Sequence, residues 1–182
     1  CSSYVLEYLS QYFNITLFFY NPNISPESEY IHRKAELKRL VQELPLGHPV
    51  RIVDGDYVPE RFYALAKGLE DLPDRGLRCQ KCIGHRLEET FRIALQQPER
   101  PDYVCTTLTI SPHKDAVFIN TKGTELAQQY GIAWLPTDFK KKGGYQRSIV
   151  LSREYDLYRQ NFCGCVYSRL EAERREKEMA SS

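Results

Sequence analysis

The chain has 182 residues, of which 42% are hydrophobic, so it is long enough for one substantial core and short for two independent domains. Its 25 Lys and Arg nearly balance its 24 Asp and Glu, which leaves a formal net charge of +1. This balance excludes a chain-wide electrostatic attraction to nucleic acid, so any RNA-binding surface must come from local clustering of basic residues.

The first half of the chain predicts helices that alternate with short strands. Residues 4–12 carry apolar side chains at helical spacing, and the β-favouring run 15–20 follows. A serine and a proline at 25–26 are typical of a helix start. Residues 50–53 predict a second strand, and the apolar positions within 62–69 predict another helix.

The second half continues this alternation. A turn at 73–76 precedes a predicted helix over 82–95, residues 103–108 have the composition of a strand, and Ser111-Pro112 begins a further helix. Such alternation predicts an α/β fold with a parallel sheet covered by helices on both faces. Ligands of these sheets bind at the carboxyl ends of the strands, so the loops after the strands are the expected site.

We predict one catalytic domain over residues 1–170 and a polar, frayed tail over residues 171–182. The longest apolar run, Ile15–Tyr20, is far shorter than the roughly 20 residues that cross a bilayer. The start of the sequence also lacks a basic segment followed by an apolar one. We therefore expect a soluble, cytoplasmic protein without a membrane partner.

Four of the six cysteines form two closely spaced pairs. Cys79 and Cys82 make a CxxC motif at the start of a predicted helix, where the helix dipole and free backbone amides favour thiolates. Cys163 and Cys165 flank a glycine that lets the backbone turn both sulfurs toward one point. The pairs could bind a metal or cycle between dithiol and disulfide, and this spacing suits a structural zinc as well as a catalytic cluster.

An ordered set of motifs runs through the chain as far as about Ser168. These motifs are Cys1–Leu9, Phe19–Ile24, Arg78–Cys82, Thr106–Lys114, Asp138–Lys142, Tyr145–Ser148 and Tyr158–Cys165. The set resembles the QueH-type family of epoxyqueuosine reductases, which are metal-dependent and work without cobalamin. Because the motifs agree in order over nearly the whole chain, we expect the family's fold and chemistry here.

The resemblance implies a Rossmann-like parallel sheet similar to the PP-loop and HUP domains, followed by a helical C-terminal part. It implies a [4Fe–4S] cluster and leaves open an additional mononuclear iron. The implied reaction removes the epoxide oxygen from epoxyqueuosine at the wobble position of the tRNA anticodon and yields queuosine. The implied partners are this tRNA and an external electron donor.

Residue by residue, Cys79 and Cys82 match the family's cluster-binding CxxC, and Cys163 and Cys165 match a CGC that we interpret as a redox-active pair. A direct metal role for the second pair stays open. Cys1 matches the last cysteine of a Cys-Cys-x-x-Cys segment and is an expected metal ligand. The two preceding cysteines of that segment and the strand before them are absent from this sequence, so we expect the sequence to begin within the motif.

Two further groups of residues are expected to bind substrate. Tyr20, Asn21 and Asn23 follow the first strand, although Asn-Pro-Asn is also ordinary turn chemistry. Lys114 lies after a predicted strand end, although an exposed polar helix start explains it nearly as well. The densest basic stretch has an aromatic residue available for base stacking, although a run of lysines is more often a solvated loop. This stretch comprises Lys140, Lys141, Lys142, Tyr145 and Arg147.

Two other functions fit parts of the pattern. A zinc-stapled RNA-binding module without catalysis would use the same cysteine pairs. An ATP-dependent PP-loop enzyme would share the fold, but the sequence contains no Ser-Gly-Gly-x-Asp-Ser phosphate loop, and Cys1–Ser3 supplies no glycines in its place. We therefore disfavour nucleotide hydrolysis.

Overall fold

The structure is a computed structural model that describes residues 2–180. Cys1, an expected metal ligand, lies outside the described residues. The helices and strands are α1 Ser3–Leu9, β1 Ile15–Phe19, α2 Glu27–Glu43, β2 Val50–Asp54, α3 Pro59–Ala66, α4 Leu77–Leu95, β3 Tyr103–Val104, α5 Ala116–Tyr130, β4 Ala133–Trp134, α6 Gly144–Glu154 and α7 Val166–Ala180. The predicted α/β class with a helical C-terminal part is confirmed.

The strands form two parallel pairs. β1 runs parallel to β2 with Ile15 opposite Val50, and β3 runs parallel to β4 with Val104 opposite Trp134. A cleft of about 1500 Å³ is lined by residues of both β1 and β3. The loops that follow these two strands open onto this cleft, as expected for the carboxyl ends of parallel strands.

Helix α4 holds the second strand pair against α5 with an apolar stripe. Ile83, Leu87, Phe91 and Ala94 recur at the spacing of one helical face and are all buried. They pack with Ile119 of α5 and with side chains of β3 and β4. Replacing a fully buried phenylalanine such as Phe91 with alanine typically costs about 3–5 kcal/mol, so this cluster fixes the position of α4 firmly.

The predicted strand over 103–108 is wrong beyond Val104. Thr107–Ile110 form a short 3-10 helix instead. The hydroxyl of Thr106 accepts a hydrogen bond from the amide of Leu108 at 3.2 Å. Threonine and serine side chains compete with sheet hydrogen bonding in this way, which ends the strand early.

Two predicted boundaries, the start of one helix and the end of the domain, can be compared with the observed helices. Helix α2 begins at Glu27 without a side-chain cap, and the amide of Ser25 donates to the carbonyl of Gly164 at 2.9 Å. Helix α7 continues through the predicted domain boundary at residue 170. Within residues 2–180, the helices are all too short or too polar to cross a membrane.

Candidate active site

The CxxC motif occupies the first turns of α4, as predicted. Cys79 is half-buried and its sulfur accepts a hydrogen bond from the backbone amide of Arg75 at 3.3 Å, while Cys82 is buried. Burial raises the pKa of Cys79, although the Arg75 amide and the nearby Lys114 oppose this effect. Burial also raises the pKa of Cys82 to about 11. Desolvation is therefore the dominant effect on both sulfurs, and both favour the thiol form when no metal is bound.

The buried side chain of Arg78 fixes the loop that precedes the CxxC motif. Its guanidinium donates to three backbone carbonyls, those of Leu69, Glu70 and Leu72, and pairs with Asp74 at 3.2 Å. Several hydrogen bonds to one buried cation hold this turn in a single geometry. Arg75 directly follows Asp74, so its backbone amide is held against the sulfur of Cys79.

The CGC motif lies on a loop before α7, and contacts from both distant and neighbouring residues hold it. Gly164 has φ of 123°, and a Cβ atom there would come within 2.9 Å of Ile24 Cγ1. The guanidinium of Arg33 on α2 donates to the carbonyl of Cys163 at 3.0 Å. On the other side, the amide of Cys163 donates to the hydroxyl of Ser168 at 3.1 Å. The motif needs glycine at its centre because both backbone conformation and space exclude a side chain.

The structure brings the two motifs together in one small pocket. The pocket is lined by Asn23, Phe62, Arg78, Cys79, Cys82, Ile83, Arg86, Lys114, Cys163 and Cys165. Arg86, Lys114 and Cys163 also line the large cleft, so they form the wall between the cleft and the cysteine pocket. The pairing of CxxC with CGC, which sequence spacing only suggested, is thus a feature of the fold.

Within this pocket the pKa values of the two CGC thiols are shifted in opposite directions. A hydrogen bond from the Cys165 thiol, with additional attraction from Lys114 and Arg86, holds the pKa of Cys163 well below its ordinary value despite burial. The same hydrogen bond, together with burial, raises the pKa of Cys165. Lys114 Nζ lies 3.6 Å from Cys163 Sγ. These interactions favour ionisation of Cys163, beside the Lys114 amine, and disfavour ionisation of Cys165.

The donor set suits a thiolate-bound cofactor in its chemistry but is incomplete among the described residues. Soft sulfur ligands are those of iron–sulfur clusters and of structural zinc. Within residues 2–180, no three His, Cys, Asp or Glu side chains lie where they could hold a metal ion together. The five cysteines of this range are free thiols, without a disulfide. The Cys79 and Cys82 pair thus offers part of a ligand set.

The predicted substrate residues after β1 lie at this site. The hydroxyl of Tyr20 is 2.8 Å from Nε2 of His85, and Arg86 donates to the Tyr20 carbonyl at 3.3 Å and to Asn21 Oδ1 at 2.5 Å. Asn23 is buried in the cysteine pocket, and its Oδ1 has no hydrogen-bond partner within the described part of the chain. A buried acceptor without a partner costs free energy, so Asn23 is suited to accept a hydrogen bond from a ligand.

The predicted basic stretch largely carries its own counter-ions. Lys140 and Lys141 pair with Asp138 at 2.5 and 3.4 Å. Arg147 pairs with Glu7 at 2.5 Å and with Glu154 at 3.5 Å. Lys142 is exposed, and Tyr145 lines the large cleft. The stretch lies outside the cysteine pocket.

Sequence reasoning missed two arginines of the site. Arg86 follows Cys82 by four residues, so helical spacing alone could have placed it beside the pocket. Arg33 contacts Cys163 across a sequence separation of 130 residues, and no local pattern signals such a contact.

Comparison with known proteins places the chain in a family. The family model for "Epoxyqueuosine reductase QueH" matches residues 1–171. The chain belongs to this family. Proteins named epoxyqueuosine reductase QueH are 42% identical over 170 residues in Streptococcus pyogenes serotype M1, 40% over 172 residues in Staphylococcus epidermidis and 39% over 163 residues in Thermotoga maritima.

These relatives are longer than the chain. The alignments cover 92%, 92% and 88% of this chain but 66%, 71% and 81% of the respective relatives. The chain thus spans about two thirds of the length of the first two. The family resemblance found in the motifs is confirmed.

Proposed function

We propose that this chain carries the catalytic domain of an epoxyqueuosine reductase, an oxidoreductase that converts epoxyqueuosine at the wobble position of a tRNA anticodon to queuosine. The observation that supports this most directly is the meeting of the CxxC and CGC motifs in one pocket beside a large cleft. The family membership and the name of the relatives support the same reaction.

The reaction needs redox-active groups. Removing an epoxide oxygen breaks both carbon–oxygen bonds, leaves an alkene, and consumes two electrons and two protons as the oxygen departs in water. Oxidation of a dithiol to a disulfide releases the same number of electrons and protons. Cys163 and Cys165 can supply both electrons. When Cys163 is ionised, the Cys165 thiol supplies one proton, and the second comes from the Lys114 ammonium group or from water. An external electron donor then returns the pair to the dithiol form.

A [4Fe–4S] cluster held by Cys79 and Cys82, with Cys1 as a further ligand, would supply one-electron transfer when bound, and an additional mononuclear iron would supply a Lewis acid. The protein's own residues bind and orient the substrate. Tyr20, Asn21 and Asn23 contact the modified base in this proposal.

Lys114 lies in the wall between the cleft and the pocket. In this proposal its ammonium group stabilises negative charge on the Cys163 sulfur and faces the bound nucleotide. A tRNA contact by Lys140, Lys141, Lys142, Tyr145 and Arg147 stays a prediction.

The test combines metal analysis with a reductase assay. Anaerobically purified protein should be brown, contain matched iron and sulfide, and convert epoxyqueuosine tRNA. Cys163→Ser and Cys165→Ser should abolish turnover with an added reductant while iron and sulfide content stay largely intact. Cys105→Ser is the matched control, because Cys105 packs in a separate apolar cluster.

Two outcomes would contradict the proposal. Full activity of either CGC variant would exclude the redox role of the pair. Colourless protein with stoichiometric zinc and RNA binding that is indifferent to the epoxide would instead support a zinc-stapled RNA-binding module.

A further inference from the structure

Two loops meet at the outer rim of the site. Arg75 Nη2 lies 2.9 Å from Nδ1 of His113, and both residues are exposed at the edge of the large cleft. The backbone holds each of them in place. Arg75 follows the turn that Arg78 fixes, and the amide of His113 donates to the hydroxyl of Ser111 at 3.2 Å. Hydrogen bonds of the backbone amides thus hold the main chain at both residues, from which the two side chains meet.

The chemistry of this contact fixes which hydrogen-bond groups remain available. Arginine has no acceptor, so Nδ1 of His113 must accept the hydrogen bond from Arg75. In a neutral imidazole the ring proton then resides on Nε2, which becomes a donor. The guanidinium still has further N–H groups in its planar fork. Arg75 and His113 thus present several donors, and the pair carries a positive charge.

Three cations near this rim have no carboxylate partner among residues 2–180, whereas Arg33 pairs with Glu29 and Arg78 with Asp74. Arg75 contacts His113, Lys114 contacts the sulfur of Cys163, and Arg86 donates to a backbone carbonyl and the amide oxygen of Asn21. Most cations of the Lys140–Arg147 stretch are neutralised by Asp138, Glu7 or Glu154. The positive charges of Arg75 and Arg86, which have only neutral partners, thus lie beside the cysteine pocket, although the chain as a whole is nearly neutral.

We propose that Arg75 and His113 bind a backbone phosphate of the RNA strand whose modified base enters the site. A guanidinium fork matches the oxygens of a phosphodiester, and an imidazole N–H can donate to the same group. The position suits this role, because Arg75 is anchored next to Cys79 and His113 precedes Lys114. A phosphate bound there fixes the nucleotide beside the wall that Lys114 and Cys163 form. This inference rests on the proposed function only in taking the bound polymer to be tRNA.

The test measures RNA affinity and does not depend on turnover. An unmodified anticodon stem-loop RNA is titrated against the wild-type protein, Arg75→Ala and His113→Ala. Removal of Arg75 should weaken binding roughly tenfold or more and lower the salt dependence by about one phosphate contact. His113→Ala should weaken it less, since one neutral donor is lost. Arg153→Ala removes the same charge from an exposed position on α6 and serves as the control.

Replacing one charged phosphate of the RNA with a neutral methylphosphonate identifies the phosphate that Arg75 contacts. Stem-loops with a methylphosphonate on the 5′ or the 3′ side of the wobble nucleotide should bind the wild-type protein more weakly at one of these positions. Arg75→Ala should not discriminate between that stem-loop and the unmodified one. Equal losses for Arg75→Ala and Arg153→Ala, or undiminished discrimination in Arg75→Ala, would overturn the proposal. Failure of epoxide reduction with these RNA results intact would instead refute the proposed reaction and leave the phosphate site standing.

Discussion

The CxxC and CGC motifs contribute sulfurs to the same pocket, but the chain builds them in different ways. The CxxC pair lies on the first turns of a helix that a continuous apolar stripe packs in place. The CGC pair lies on a loop that Arg33, Ser25 and Ser168 hold through contacts with its backbone. The first is determined by nearby sequence, and the second depends also on Arg33 and Ser25, which are far along the chain.

The two motifs also differ in charge. Burial raises the pKa of both CxxC sulfurs, so they need a metal, or another strong positive charge, to become thiolates. In the CGC motif, the Cys165 thiol donates to the Cys163 sulfur and Lys114 adds its charge, so the pKa of Cys163 is lowered without a metal. The comparison indicates that CxxC is suited to hold a cofactor and CGC is suited to react.

The largest expected effect comes from a side chain at the centre of the CGC loop. Gly164→Ala combines an unfavourable φ of 123° with a Cβ atom 2.9 Å from Ile24, so we expect a loss of about 3 kcal/mol in the free energy of unfolding and loss of turnover. Denaturant titration measures this. Gly68→Ala is the control, because φ is 75° there and no atom lies within 4 Å, so it should cost only about 1 kcal/mol. Equal costs would show that the CGC loop adapts to a side chain.

The second effect concerns the reactivity of Cys163. Cys165→Ala removes the hydrogen bond that contributes most to lowering the pKa of Cys163, and Lys114→Met removes a smaller electrostatic contribution. Both variants should raise this pKa and slow alkylation at neutral pH, on the order of tenfold for Cys165→Ala and less for Lys114→Met. Site-resolved alkylation of metal-free protein over a range of pH measures the shift. Cys165→Ser retains a donor and should stay closer to the wild type; an identical pH profile in all three variants contradicts the assignment.

The third effect is proton release by the CxxC motif. Because the pKa of Cys79 is raised and that of Cys82 is raised to about 11, both are thiols at neutral pH. Metal binding to both sulfurs should therefore release about two protons, and the affinity should rise steeply with pH. Calorimetry of zinc binding in buffers of different ionisation enthalpy counts these protons. Cys79→Ser should release about one fewer, whereas unchanged release in this variant would place the zinc elsewhere.

The smallest effect lies in the segment that leads to the CGC loop. Glu36 pairs with Arg39 and accepts from the amide of Tyr158, and these hydrogen bonds lower its pKa below the ordinary value of 4.5. A lowered folded-state pKa contributes stability above the ordinary value, and this contribution is lost as the pH falls through the folded value. Glu36→Gln should thus cost less than about 1 kcal/mol at neutral pH, because the pair is partly exposed. The difference in the free energy of unfolding between this variant and the wild type should vanish in acid. A constant difference across the pH range would show that ionisation of Glu36 does not contribute to stability.

The same distinction between local and distant contacts decides what the sequence could predict. Helix α4 with its CxxC start, strands β1 and β2, and the parallel pairing follow from periodicity and composition, because those patterns are local. The end of β3 at Val104 could not be predicted from the sequence, because strand composition continues through Leu108. The hydrogen bond from Leu108 to the Thr106 hydroxyl, which competes with sheet pairing, depends on the three-dimensional geometry. The burial that raises the pKa of Cys82 could not be predicted from the sequence either, because the side chains of Phe62 and Cys165 that cover it come from distant segments.

The wall formed by Arg86, Lys114 and Cys163 has a kinetic consequence. Because Cys163 lines both the cleft and the inner pocket, and Cys165 is buried, the pair is reached through Cys163 from the cleft side, which RNA would occupy in the proposed reaction. The reductant and the nucleic acid would then bind alternately, and not simultaneously, at the same opening of the cleft. We expect a double-displacement rate law, with parallel lines in reciprocal plots and inhibition by excess RNA that more reductant relieves.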